Sequence, residues 1–464
     1  MKLPFLSLFL VSSFAAFAGI EATNVKIRQD WPWSNKLVVT YELSGVSAET
    51  PGEVVVKAFR NGEEIPMQGA GMTGDVYNLT EDGEKRIEID PVRTFGKIGG
   101  VPNFKVTVTA QAATEKSSEI VYKIFDIPSK TVTDVTRGDL LNGKYGTVET
   151  DFGAIGEGYN TTLEDVIIWT GVTNDIAYKT TKLVLRRIPA GDFKGFAPGG
   201  SVPATKNMTW TFDYYIGVFE LTQKQRSLAG WGSWNKQSPI LGDTLPDQHV
   251  QNYYMYGVQH PTGATTNLAD GTGFFFKLRN KFKVGDICPY DFELPTQVQW
   301  MRAMRAGADS YYYDGLAKPY DINSNDQYAA LANYKHGGGL VANPDGSVTT
   351  NIMEVGSFRP NAYGLYDMLG NVREHVRESG DNGVIDWTVE AGTNVIGQVG
   401  SSNHSLTYGG SVAETANANK TGIGRYTIQV HSSTGGSPIA GLRVCMQSME
   451  DGIKLRDYFY KKEQ

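Results

Sequence analysis

The chain has 464 residues, with 43 Lys and Arg against 50 Asp and Glu, and a formal net charge of -7. That length exceeds one ordinary domain and predicts two or three. With 20% charged residues and no basic cluster, nucleic acid is not an expected partner.

Taken in chain order, the first residues read as an export signal. Lys2 and the amino terminus give a short positive start, Leu3 to Phe17 is mostly apolar, and Ala16-Phe-Ala18 offers small residues for cleavage before Gly19. The competing reading is a membrane anchor, but the run is shorter than the roughly 20 residues of a bilayer span. No cysteine follows it, so a lipoprotein anchor is not expected. The expectation is a signal peptide over residues 1–18, no membrane span after cleavage, and a secreted, periplasmic or cell-surface protein in an oxidising compartment.

Residues 19–125 predict an all-β module. Leu37-Val-Val-Thr-Tyr-Glu-Leu, Glu53-Val-Val-Val-Lys-Ala-Phe, Arg86-Ile-Glu-Ile-Asp and Asn103-Phe-Lys-Val-Thr-Val-Thr-Ala are rich in β-formers, with turn signals at Arg60-Asn-Gly and Glu81-Asp-Gly. Short strands at that spacing suggest an immunoglobulin-like or fibronectin-like sandwich. Trp31 and Trp33 either seal its core or form an aromatic platform for carbohydrate. Residues 126–179 read as a connecting region with one strand, Asp165-Val-Ile-Ile-Trp-Thr.

A third region spans 180–448, ahead of a tail at 449–464. Lys182-Leu-Val-Leu-Arg-Arg-Ile-Pro reads as a strand entering a turn. Leu294-Pro-Thr-Gln-Val-Gln-Trp-Met-Arg-Ala-Met-Arg-Ala-Gly307 predicts a helix: Thr296 with Gln299 makes a capping box, Val298, Met301 and Met304 share one face, and Gly307 suits a left-handed end. A second helix is predicted near Gly273–Asn280. The six His residues show no metal-ligand spacing, and Gly337-Gly-Gly lacks the Lys of a phosphate cradle.

The most patterned segment is Val355-Gly-Ser-Phe-Arg-Pro-Asn-Ala-Tyr-Gly-Leu-Tyr-Asp-Met-Leu-Gly-Asn-Val-Arg-Glu374. It resembles the "Gly-Leu-Tyr-Asp-Met-His-Gly-Asn-Val-Trp-Glu" signature of the formylglycine-generating enzyme, or sulfatase-modifying factor, family. Leu183-Val-Leu-Arg-Arg-Ile-Pro-Ala-Gly, Val218-Phe-Glu-Leu-Thr, Glu293-Leu-Pro-Thr-Gln-Val-Gln-Trp, Tyr408-Gly-Gly-Ser411 and Gly441-Leu-Arg443 resemble other family segments, in the family's order over about 270 residues. Departures are Gln297 and Gln299 where glutamates are usual, Arg373 where Trp is usual, and no "Met-Gly-Ser" after Phe193. The resemblance implies an α+β chain, with a C-type-lectin-like fold following the β-sandwich.

The family's activity depends on two cysteines after the Gly-Gly-Ser, which hold copper because thiolates are soft ligands for Cu(I). Here those positions fall on Glu414 and Asn419, and no Cys lies between Cys288 and Cys445. The expectation is a binding module without catalysis, with copper not expected. A peptide, protein or glycan of unknown identity would dock in a groove near Ser411, Glu414 and Asn419. The alternative is an oxidase of the formylglycine-generating type, working through a remodelled site. The resemblance also implies calcium at Asp367 and Glu374 by carboxylate with Gly370 and Val372 by carbonyl, where the plainer reading is that the two acids cap turns. A second, weaker calcium site falls on Asn333, Tyr334 and Asp345. The two cysteines are expected to form a disulfide between Cys288 and Cys445, as in some family members; the alternatives are two separate buried thiols and, third, a catalytic pair.

Overall fold

The structure, a computed structural model, describes residues 19–29, 34–67, 71–96, 103–150, 163, 165–196, 205–231, 241–248, 250, 255–256, 273–284, 288–308, 340–342, 348–350, 352–379, 392–395, 404–412, 429–430, 440–448 and 450–451. The expected signal peptide, Trp31, Trp33 and nearly all of the 449–464 tail lie outside these residues. The chain divides into two compact units. One runs to Glu119 and takes in Leu141–Lys144; the other comprises Ile120–Leu140 and the chain from Tyr145 onward.

The first unit is a two-sheet β structure. β1 (Glu21–Gln29), β2 (Leu37–Ser44), β6 (Gly83–Ile89) and β5 (Met72–Gly74) form one sheet in that order; β4 (Glu63–Ile65), β3 (Gly52–Arg60) and β7 (Phe104–Ala112) form the other. Alternation decides which side chains go inside: Val39, Tyr41 and Leu43 of β2 meet Ile87 and Ile89 of β6 and Val106 and Val108 of β7 in one core. Asn61 and Gly62 turn the β3–β4 hairpin with positive φ, as the Asn-Gly pair predicts.

The second unit is built on a six-stranded sheet with the order β14 (Tyr290–Glu293), β22 (Cys445–Ser448), β13 (Tyr214–Gly217), β10 (Lys182–Ile188), β8 (Ile120–Asp126) and β9 (Thr131–Thr136). Residues 126–179 are therefore more than a connector, because β9 forms the edge of this sheet. The predicted strand at Asp165 is corrected as well. Ile168 makes a single bridge to Glu149, and Trp169 leads into a short helical turn, Thr170–Thr173. The Trp169 indole donates to the Tyr145 carbonyl, and its ring meets Tyr122 and Tyr178 edge-on, so ring packing replaces strand pairing.

Both faces of the sheet's central strands are buried, while the edge strand β9 is largely exposed. Ile188, Tyr214, Ile216 and Cys445 point into one core; Leu183, Leu185, Tyr215, Val444 and Met446 point into the other. The helix Phe274–Phe282 covers the second core with Phe274, Phe275, Leu278 and Phe282. The helix Gln297–Arg305 covers the first, and beside it lies a sheet ordered β20 (Gln429–Val430), β19 (His404–Tyr408), β17 (Arg373–Ser379) and β21 (Ala440–Gly441). A third sheet, β11 (Gly191–Phe196), β12 (Thr205–Trp210) and β18 (Gly392–Thr393), and the hairpin β15 (Leu340–Ala342) with β16 (Val348–Thr350) complete the described strands. Pairing is mostly antiparallel, so the chain is α+β and dominated by strands.

The Gln297–Arg305 helix begins with the predicted capping box. Thr296 Oγ1 accepts from Gln299 N, and the Gln299 side chain accepts from Thr296 N. It is buried all round rather than along one face. Two of its polar side chains find partners on other elements: Arg302 donates to the carbonyls of Pro189, Gly191 and Asp192, and Gln299 donates to Gln447. Left-handed geometry at its C-terminal end falls on Ala306 as well as on Gly307. Thr296→Ala is expected to lower unfolding free energy by about 1 kcal/mol, read from a urea titration, because the cap removed is buried and local.

Candidate functional site

The patterned run 355–374 forms a compact loop, and its own side chains hold it. Asn361 donates to the carbonyls of Ala303 and Met304, at the end of the Gln297–Arg305 helix, and accepts from the amides of Tyr363 and Leu365. One amide thus serves helix-end carbonyls and a turn together. Asp367, Gly370 and Asn371 all take positive φ, which suits Asp, Asn and Gly and not β-branched residues. Gly364 also has positive φ, and a Cβ there would meet the Tyr122 hydroxyl at 2.8 Å.

This loop meets two residues that lie far away in the chain. Glu220, fully buried, accepts from Asn371 Nδ2 at 2.8 Å and from Val372 N at 3.0 Å. Arg443, also fully buried, donates to the carbonyls of Gly217, Val218 and Tyr366 and grips Glu374 at 2.6 Å. Trp300 Nε1 donates to the other Glu374 oxygen at 2.6 Å, with its ring against Tyr408. The turn's second acid, Asp367, accepts from Gly356 N through Oδ2, while its Oδ1 is buried with no hydrogen-bond partner.

Three buried carboxylates thus share the neighbourhood of one guanidinium. Burial raises the Glu220 carboxyl well above its ordinary range, and Asp367 and Glu374 add to the rise. Burial likewise pushes Asp367 up to about 6, against the pull of the Gly356 amide and of Arg443.

Of the expected calcium donors, Asp367 and Gly370 lie in the positive-φ turn, whereas Glu374 lies in β17, where its carboxylate is near enough to raise that of Asp367. The stranded Asp367 oxygen and the surplus of acid suit a hard dication. Glu374 is shared with Arg443 and Trp300. Among the described residues, no three His, Cys, Asp or Glu side chains are placed to hold a metal by themselves, so carbonyls would have to contribute. The second expected site, Asn333, Tyr334 and Asp345, lies outside the described residues.

Of the expected groove, Glu414 and Asn419 lie outside the described residues. Ser411 follows the positive-φ pair Gly409 and Gly410 and is fully buried, so it sits beneath the surface rather than on an open wall.

The expected disulfide is not formed. Cys288 and Cys445 are both buried, free thiols. Strand register pairs Cys445 with Glu293 and Ile216, and the two cysteines belong to cores on opposite faces of the same sheet. Burial raises both thiols, Cys445 far above the ordinary thiol range.

One departure from the family pattern, Gln297, acquires a setting. Glu378 accepts from the Gln297 amide with both oxygens, and the Tyr408 hydroxyl donates to the Gln297 side chain. A carboxylate already sits at the positive end of this helix, supplied by β17. The roles of Glu220, Asn361 and Arg443 were not assigned from sequence. The available signal was a polar residue lodged in an apolar run, as in Val218-Phe-Glu-Leu and Gly-Leu-Arg-Val.

Residues 178–446 match the family described as the sulfatase-modifying factor enzyme 1-like domain. Among solved structures, the chain is similar to Treponema denticola variable protein 1, at 20% identity and a TM-score of 0.39, covering 57% of this chain and 95% of that one. That superposition is too loose to bear on function. No curated protein matches the chain.

Proposed function

The chain belongs to the sulfatase-modifying factor enzyme 1-like domain family, and from that premise we propose that it is an exported binding module that has lost the family's copper-dependent oxidation. The observation that carries this is the placement of its two cysteines. No cysteine lies between Cys288 and Cys445, so none stands at or beside positions 414 and 419, and Cys445 is a core thiol opposite Glu293, held protonated by burial. A protonated thiol, or the Glu414 and Asn419 at the family's positions, does not supply the soft thiolate pair that Cu(I) needs. The partner, a peptide, protein or glycan, would dock beside the Gly-Gly-Ser turn.

A calcium ion at the Asp367 turn belongs to the same reading, with a structural role only. Asp367 and Glu374 would hold it with the Gly370 and Val372 carbonyls. The support is the unpartnered Asp367 oxygen and the excess of three buried carboxylates over one guanidinium. The C-type-lectin-like reading of this unit rests on the family resemblance, and the immunoglobulin-like reading of the first unit is supported by its two sheets over one core.

The decisive experiment is incubation of the full chain with Cu(I), oxygen and a sulfatase-type cysteine peptide, followed by mass analysis. Unmodified peptide is the expected result. Formylglycine formed over several turnovers would overturn the proposal in favour of an oxidase with a remodelled site.

A further inference from the structure

A second site stands apart from the acid cluster. A cavity of about 430 Å³ opens between the β11–β12 hairpin and the C-terminal end of the Gln297–Arg305 helix, within the 300–1,000 Å³ range of small-ligand sites. Its walls include Asp192, Phe193, Asn207, Arg302, Arg305 and Tyr363. Trp300, which faces Glu374, and Arg302, which faces this cavity, are two residues apart on one helix. They therefore point in widely different directions, and the cavity is a different place from the turn around Asp367 and Ser411.

The cavity is rigidly built. Arg302 holds the hairpin by donating to the Gly191 and Asp192 carbonyls, both at 2.9 Å. Its guanidinium lies over the Phe193 ring, 5.7 Å from the centroid. Gly191 permits this approach, since a Cβ there would meet Arg302 Nη2 at 3.1 Å. Tyr363 is fixed through its backbone by Asn361 and Arg186. None of these contacts depends on a ligand, so the shape exists before binding.

Its uncommitted groups have one chemistry in common. Asp192 Oδ1 accepts from Thr209 at 2.6 Å, which leaves Oδ2 to accept from something else. Among the described residues, neither the Asn207 amide nor the Tyr363 hydroxyl bonds to the protein, although Tyr363 is only 4% exposed. A carboxylate oxygen takes a hydrogen bond, while a primary amide and a phenol each give and take one, so together they match the donors and acceptors of neighbouring hydroxyls. Beside them, the half-buried Phe193 offers apolar surface to a ring's C–H face.

We propose that this cavity binds a monosaccharide unit, a pyranose ring whose adjacent hydroxyls bond to Asp192, Asn207 and Tyr363 while its C–H face rests on the aromatic wall. The site does not depend on the copper or calcium readings above.

The test is calorimetric titration and saturation-transfer NMR of the full chain against a panel of glucose, galactose, mannose and N-acetylglucosamine. At least one sugar should bind saturably. Asn207→Ala should weaken that sugar about tenfold, as should Tyr363→Phe, which removes a single oxygen, each with an unchanged melting temperature. No saturable binding of any of the four, or binding that survives both substitutions unchanged, overturns the proposal. Binding that persists in both variants would place the sugar elsewhere and leave the binding-module reading standing.

Discussion

Replacing Arg443 with methionine is expected to lower the unfolding free energy by about 3–5 kcal/mol, read as a large fall in the urea midpoint. Methionine matches much of the stem volume, so the loss comes from the guanidinium. That group has no exposure to solvent and bonds to three carbonyls and one carboxylate at 2.6–2.9 Å. Removing it strands the Glu374 charge in the core, where water cannot compensate. Arg443→Lys keeps the positive charge but cannot reach acceptors on Gly217, Tyr366 and Glu374 together, so it should also be destabilised, by less. In the double variant Arg443→Met with Glu374→Gln, part of the loss should return, because the stranded charge is gone. If Arg443→Met proves too unstable to purify, the lysine variant alone carries the measurement. A cost below about 1 kcal/mol for both single variants would show that the buried pair contributes little.

The second large effect is expected at Asp367. Its folded-state carboxyl is raised from the ordinary 3.8 to about 6, chiefly by burial. The protonated form is therefore favoured by folding. The contribution to stability is full below pH 3.8 and is lost as pH rises through 6. In chelator at pH 8, Asp367→Asn should exceed the wild type by on the order of 2 kcal/mol, and the gap should close near pH 4. Calcium should raise the wild-type melting temperature at pH 8 and leave Asp367→Asn unmoved, since the ion relieves the charge that the substitution deletes. A pH-dependent gap with no calcium response would keep the acid cluster and discard the ion. A gap between wild type and Asp367→Asn that is the same at pH 4 and pH 8 would discard both.

Several elements were legible from short stretches of sequence. The alternation in Arg86–Asp90 and Asn103–Ala110 marked two of the first unit's strands, since period-two patterning selects the inward face without help from distant residues. The capping box of Thr296 and Gln299 likewise set where its helix begins. The amphipathic reading of that helix failed, because Arg302 and Gln299 found carbonyl and amide partners on other strands and could be buried. The Asp165 segment failed for a related reason: Trp169 sits among three tyrosine rings that no local window contains.

The sequence by itself determined the family and the lack of a thiol pair after the Gly-Gly-Ser turn, because motifs and composition are properties of neighbouring residues. Only the tertiary structure decided that Ile120–Asp126 and Thr131–Thr136 join the second unit, that Cys288 and Cys445 face opposite cores, and that Glu220, Asp367 and Glu374 crowd around Arg443. Those outcomes depend on strand register, and register is set by the combined packing of both sheet faces, which no single segment encodes.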